Sequence, residues 1–73
     1  MDAQRDAILW HLERRGSITP IEALNELGCF RLAARIEELR RSGHGIKTII
    51  EKRKGKRYAR YVYAQRPQQA GLF

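Results

Sequence analysis

Residues 16–28 read GSITPIEALNELG, and residues 31–43 read RLAARIEELRRSG. The first stretch is a helix with both ends written into it. Thr19 can accept from the amide three residues on, and Glu22 can reach back to the amide of Thr19. Pro20 suits the first helical position, where no amide hydrogen is needed. Gly28 closes the helix, because a left-handed residue costs a glycine least. The spacing predicts a helix of about two turns over Pro20–Leu27, with Ile21, Ala23, Leu24 and Leu27 apolar. The second stretch predicts a helix from about Arg31 to Ser42, stopped at Gly43. Leu32, Ile36 and Leu39 fall in one narrow sector with Ala33 at its edge, while Arg31, Ala34, Arg35, Glu38 and Arg41 take the opposite face. Its start is weakly specified, since Cys29 is a poor N-cap. Only a short turn separates the two helices.

Upstream, residues 3–15 predict a further helix, capped by Asp2 and stopped at Gly16. Ile8, Leu9 and Leu12 cluster on one face. Trp10 falls away from them, in a stripe with Ala3, Ala7 and Arg14. Ser17-Ile18 is long enough only for a bridge-length strand. Downstream the composition switches. Residues 46–52 are β-branched and residues 58–64 are rich in tyrosine, and both read as strands. Residues 53–57 join them as a turn with Gly55 at its centre. From Gln65 the chain is polar and is expected to be a loose tail.

The expected class is therefore α+β: three helices, a short strand near Ser17-Ile18 and a C-terminal β-hairpin in one domain over residues 1–64, with a tail over 65–73. A chain of 73 residues buries only about 60% of the surface that its unfolded form exposes, so its core is thin. Its 42% hydrophobic and 32% charged residues are enough for one core and argue against disorder. The single cysteine excludes an internal disulfide and a cysteine-rich zinc site. No apolar run approaches the ~20 residues of a membrane span, and the start lacks the apolar region of a signal peptide. A cytoplasmic setting is the expectation.

Charge is divided along the chain. Residues 1–39 hold five arginines and seven acidic groups, whereas residues 40–73 hold ten Lys/Arg against Glu51 alone, within a net charge of +7. A compact helical unit with a concentrated cationic element points to a polyanionic partner, nucleic acid before anionic membrane. The hairpin tip carries Lys52, Arg53, Lys54, Lys56 and Arg57. Five cations around one glycine repel one another unless an anion neutralises them, and phosphates are the natural ligand. Lys47 and Arg60 extend the patch.

Helices two and three, with their few-residue glycine turn, form a helix-turn-helix arrangement, and a hairpin after the third helix gives its winged form. The stretch from Gly16 to Gly28, continued by RLAARIEELRRSG, closely resembles small winged helix-turn-helix proteins of bacteriophages and prophages. The resemblance covers about residues 7–64. It implies a third helix that enters the major groove and a wing that contacts the DNA backbone. On that reading Arg31, Ala34, Arg35 and Glu38 are base-contact candidates. Glu38 can instead orient Arg35 or Arg41 through a helical pair. Arg41, late in the helix, is a backbone candidate. Thr19 is first a cap, and the start of its helix can also face a phosphate with Ser17 beside it.

Other groups read more plainly. Tyr58, Tyr61 and Tyr63 suit core cover better than base stacking. Trp10, with Ala3 and Ala7, can pack under the tail or form a dimer patch. Cys29 reads as a small buried hydrophobe. His11 and His44 lack the neighbours of a metal ligand or general base, and no nucleophile–base pair stands out. The expectation is a non-enzymatic binder of double-stranded DNA that regulates phage or prophage transcription, with no cofactor, metal, membrane or small-molecule ligand. One such module reads few base pairs, so a homodimer or cooperative assembly on DNA is expected. An excisionase-like DNA-bending factor and a winged-helix protein-interaction module are the alternatives.

Overall fold

The computed structural model describes residues 3–65. The chain folds as α1 (Ala3–Arg15), β1 (Ser17–Ile18), α2 (Pro20–Leu27), α3 (Leu32–Arg41), β2 (Gly45–Arg53) and β3 (Lys56–Gln65). This is the expected α+β architecture of three helices and a hairpin. The bridge-length strand at Ser17-Ile18 is present. The expected tail lies outside the described residues, apart from Gln65, which ends β3.

Local chemistry sets α2. The Thr19 amide donates to Glu22 Oε1 at 2.9 Å, and the Glu22 amide donates to Thr19 Oγ1 at 3.3 Å. Pro20 follows at the first helical position. Gly28 ends the helix in the left-handed region, at φ 66°. Its amide then donates to Leu24 O, and that of Cys29 to Ala23 O. The chain turns through Cys29, Phe30 and Arg31 into α3. Arg31 occupies the N-cap without a side-chain cap bond, so α3 begins one residue later than its pattern suggested.

Ile8, Leu12, Ile18, Ala23, Cys29, Leu32, Ile36, Leu39 and Ile46 form the core. Leu9, Leu27, Tyr61 and Tyr63 pack against its margin. Cys29 is buried as expected. Ile21 and Leu24, apolar on α2, are instead exposed. His11 is almost wholly buried. Its Nδ1 donates to Ser17 O at 3.1 Å, since a carbonyl can only accept. Its Nε2 faces Glu26 Oε1 at 3.5 Å, and Glu26 also pairs with Arg15 at 3.2 Å. These links join α1, β1 and α2.

The sheet order is β1-β3-β2, all antiparallel. β1 pairs Ser17 with Val62 and Ile18 with Tyr61. β2 pairs with β3 along its length, from Ile46↔Tyr63 to Arg53↔Lys56, with an irregularity at Gly45/Ile46. The expected five-residue turn is shorter than the sequence suggested. Lys54 and Gly55 both have positive φ, 51° and 77°, as a two-residue primed turn requires. The ladder therefore continues through Arg53 and Lys56, which are strand residues and not loop residues. The Arg40 guanidinium donates to Ile46 O at 2.7 and 3.0 Å and to Thr48 Oγ1 at 2.9 Å. This fixes the end of α3 to the base of the hairpin.

Candidate nucleic-acid interface

The outward side of α3 is set by its burial pattern. With Leu32, Ile36 and Leu39 inward, Ala33, Ala34, Glu37 and Arg41 stand exposed, and Arg31 is exposed at the cap. Arg35 lies differently from Arg31. Its side chain is only 23% exposed and pairs with Glu38 at 3.0 Å. Glu38 in turn lies 3.9 Å from Arg5 of α1. Arg35 and Glu38 thus sit on the flank of α3 that meets α1, as a helical pair that also bridges two helices. Arg40 is committed to β2, and its other partner is Glu37 at 3.2 Å. Among the described residues, two small side chains, Ala33 and Ala34, and two exposed arginines, Arg31 and Arg41, are left on the outward side of α3. Arg5 carried no signal of its role in the sequence, because that role depends on how α1 crosses α3.

The hairpin gathers cations at its end. Lys52 lies directly opposite Arg57, and Arg53 directly opposite Lys56. With Lys54 in the turn, all five are exposed. Opposed like charges destabilise a ladder. An anion laid across them relieves that repulsion. Lys47 is exposed at the base, opposite Val62.

Arg60 and Ser17 are engaged with one another. Arg60 donates to Glu51 Oε1 at 2.8 Å and to Ser17 Oγ at 3.0 Å. The hydrogen bond from Arg60 holds the Glu51 carboxyl below its usual range and pushes the Arg60 guanidinium up in turn. Arg60 is thus part of an internal bridge, set back from the five cations.

Thr19 is buried with both its amide and its hydroxyl used within the cap. The Glu22 carboxylate stands in the first turn of α2 and accepts from the Thr19 amide. Tyr63 packs at the core margin and meets His44 Nδ1 through its hydroxyl at 2.8 Å. Trp10 is 57% exposed on α1, with the Arg14 guanidinium 5.0 Å from its ring centre. Ala3 is exposed and Ala7 half-buried on the same helix. The expected packing of Trp10 under the tail falls outside the described residues. No group of acidic, histidine and cysteine side chains able to hold a metal is present among the described residues.

One side chain stands out that composition could not mark. Phe30, in the turn before α3, is 84% exposed. It borders a shallow hollow with Gln4, Arg31 and Arg35 on one side, and a larger cleft with α2 and the hairpin on the other.

The winged helix-turn-helix domain family matches residues 3–66. The chain belongs to that family. No curated protein and no solved structure matches it. The winged helix-turn-helix is a DNA-binding fold. The helix-turn-helix is α2, the turn at 28–31 and α3, and the wing is β2–β3. No helix among the described residues is long and apolar enough to cross a membrane.

Proposed function

We propose that this winged helix-turn-helix chain binds double-stranded DNA in the cytosol and regulates transcription of phage or prophage genes. One observation carries the reading: the wing presents five exposed cations, four of them in directly opposed pairs. Phosphates on the DNA backbone supply the missing counter-charge. The wing positions the domain without reading sequence. The outward face of α3 lies in the major groove, with Arg31 reaching a guanine edge and Ala33 and Ala34 admitting close approach to the groove floor. Arg41 meets the backbone. Arg35 and Glu38, the other candidates at the base edges, brace α3 against α1 and so fix the angle at which it enters. Occupancy of the site regulates, either by blocking polymerase or by recruiting it. A homodimer or cooperative binding supplies the selectivity that one module lacks.

Fluorescence anisotropy against random and genomic duplexes over a salt series tests this. Binding is expected to weaken with salt, with a log–log slope of about 0.9 for each phosphate neutralised. Absence of duplex binding at low salt would overturn it.

A further inference from the structure

The cleft beside Phe30 has a volume of about 590 Å³. It exists because β1 stops early. β1 pairs only with Val62 and Tyr61, and the chain then leaves the sheet at Thr19 to start α2. From Arg60 back to Lys56 the same edge of β3 carries no strand among the described residues. That is roughly 16 Å of strand edge, at about 3.3 Å per residue. The facing wall comes from α2 and its turn. There Ile21 is 60%, Leu24 38% and Phe30 84% exposed. Arg53, Lys56 and Arg57 stand on the wing side of the same cleft.

We propose that this cleft takes an extended acidic peptide, which adds a strand to the open edge of β3. An uncovered edge offers backbone donors and acceptors in register, and strand addition uses them for affinity. Alternate side chains of the added strand point to opposite faces. Apolar ones on one face cover Ile21, Leu24 and Phe30. Acidic ones on the other face meet Arg53 and Lys56, which share that face across the last rung of the hairpin. The charge on the edge decides the partner. Cations on an edge strand repel basic strands, and this excludes the cationic hairpin of a second copy. A DNA duplex meets the cations from outside but gives nothing apolar to Ile21 and Leu24 and no strand to β3. Arg60 takes no part, since Glu51 and Ser17 hold it. The peptide covers cations that the DNA reading assigns to phosphates, so peptide and duplex exclude one another.

The test titrates the isotope-labelled chain with a short fluorescent peptide of alternating valine and glutamate, read by anisotropy and by NMR. Controls replace valine by serine, replace glutamate by lysine, or methylate alternate amides of the peptide. The Ile21→Ser/Leu24→Ser double variant tests the wall, with circular dichroism to confirm its fold. The expected result is binding that shifts the amides of residues 56–60 and the methyls of Ile21 and Leu24. Each control and the double variant then bind at least about tenfold more weakly. Equal binding of the serine peptide, undiminished binding by the double variant, or no binding at low salt overturns the proposal. So does a duplex that shifts the Ile21 and Leu24 methyls, since the cleft then belongs to the nucleic-acid interface. The peptide readouts do not require that the chain bind DNA.

Discussion

Arg53 and Lys56 face one another directly across the last rung of the wing, one step from the turn. No carboxylate is paired with either in the ladder, and Lys52↔Arg57 repeats the arrangement on the next rung. Opposed like charges cost stability, so an anion laid across this end of the hairpin relieves a repulsion that its own ladder leaves in place.

Replacing both Arg53 and Lys56 by alanine therefore has two opposite effects. Duplex affinity falls by a similar factor for every sequence, and the salt slope flattens by about 2, near 0.9 for each lost phosphate contact. Thermal stability of the free chain stays level or rises. Anisotropy over a salt series and a melt of the same sample check the two halves. A sequence-dependent loss would show that the wing reads bases.

Lys54 gives a cleaner separation of binding from folding. Its φ of 51° places a side-chain-bearing residue in the left-handed region, where asparagine is better tolerated. Lys54→Asn is expected to stabilise the chain by roughly 0.5–1 kcal/mol, a rise of about 4 °C in melting temperature. It is expected to weaken duplex binding at the same time, by removal of one cation. A variant that melts lower would show that the turn does not hold the observed geometry in solution.

The cap of α2 is the strongest local signal in the chain, and its removal is correspondingly costly. Thr19→Ala leaves the Glu22 amide without its acceptor and is expected to cost about 1–2 kcal/mol. In so small a domain that is a large share of total stability. Denaturant melts of the variant against wild type measure it.

The Glu51–Arg60 bridge sets a pH dependence. Arg60 holds the Glu51 carboxyl below its ordinary value of about 4.5. A carboxyl depressed on folding adds stability that is fully present above its unfolded value. That stability is lost as pH falls through the lower, folded value. The upward shift of Arg60 lies above any working pH. Melting temperature should thus fall more steeply below pH ~4.5 in wild type than in Glu51→Gln. Parallel curves would mean that the bridge adds nothing in solution.

What was legible in the sequence follows from how local each signal is. The ends of α2 could be read because Thr19, Pro20, Glu22 and Gly28 act within one segment. The length of the wing could not, because Arg53 and Lys56 have no marked strand preference and become strand residues only once Lys54 accepts positive φ. His11 lies on the flank of the Ile8 and Leu12 stripe, and its burial depends on Ser17 and Glu26 arriving from elsewhere. The separation of Arg35 from Arg31 needs Arg5 of α1. The cleft needs β1 to end after two residues, and a run of residues does not show where pairing stops.

That separation of the two arginines gives the last prediction. A helical projection alone places Arg31 and Arg35 together on the groove face. In the structure Arg31 is exposed at the cap, while Arg35 is mostly buried against Glu38, near Arg5. Arg31→Ala is expected to leave stability unchanged and to lower the preference among duplexes, by about 1–3 kcal/mol for a lost guanine contact. Arg35→Ala removes the partner that holds Glu38 beside Arg5 of α1, and is expected to cost about 1 kcal/mol of stability. Its effect on affinity should be similar for all duplexes, because the angle of the whole helix changes and not a single base contact. Selection from a randomised duplex pool, run beside denaturant melts for both variants, distinguishes the two roles. If Arg35→Ala changes one base position and leaves stability intact, Arg35 leaves Glu38 on binding and reads a base itself.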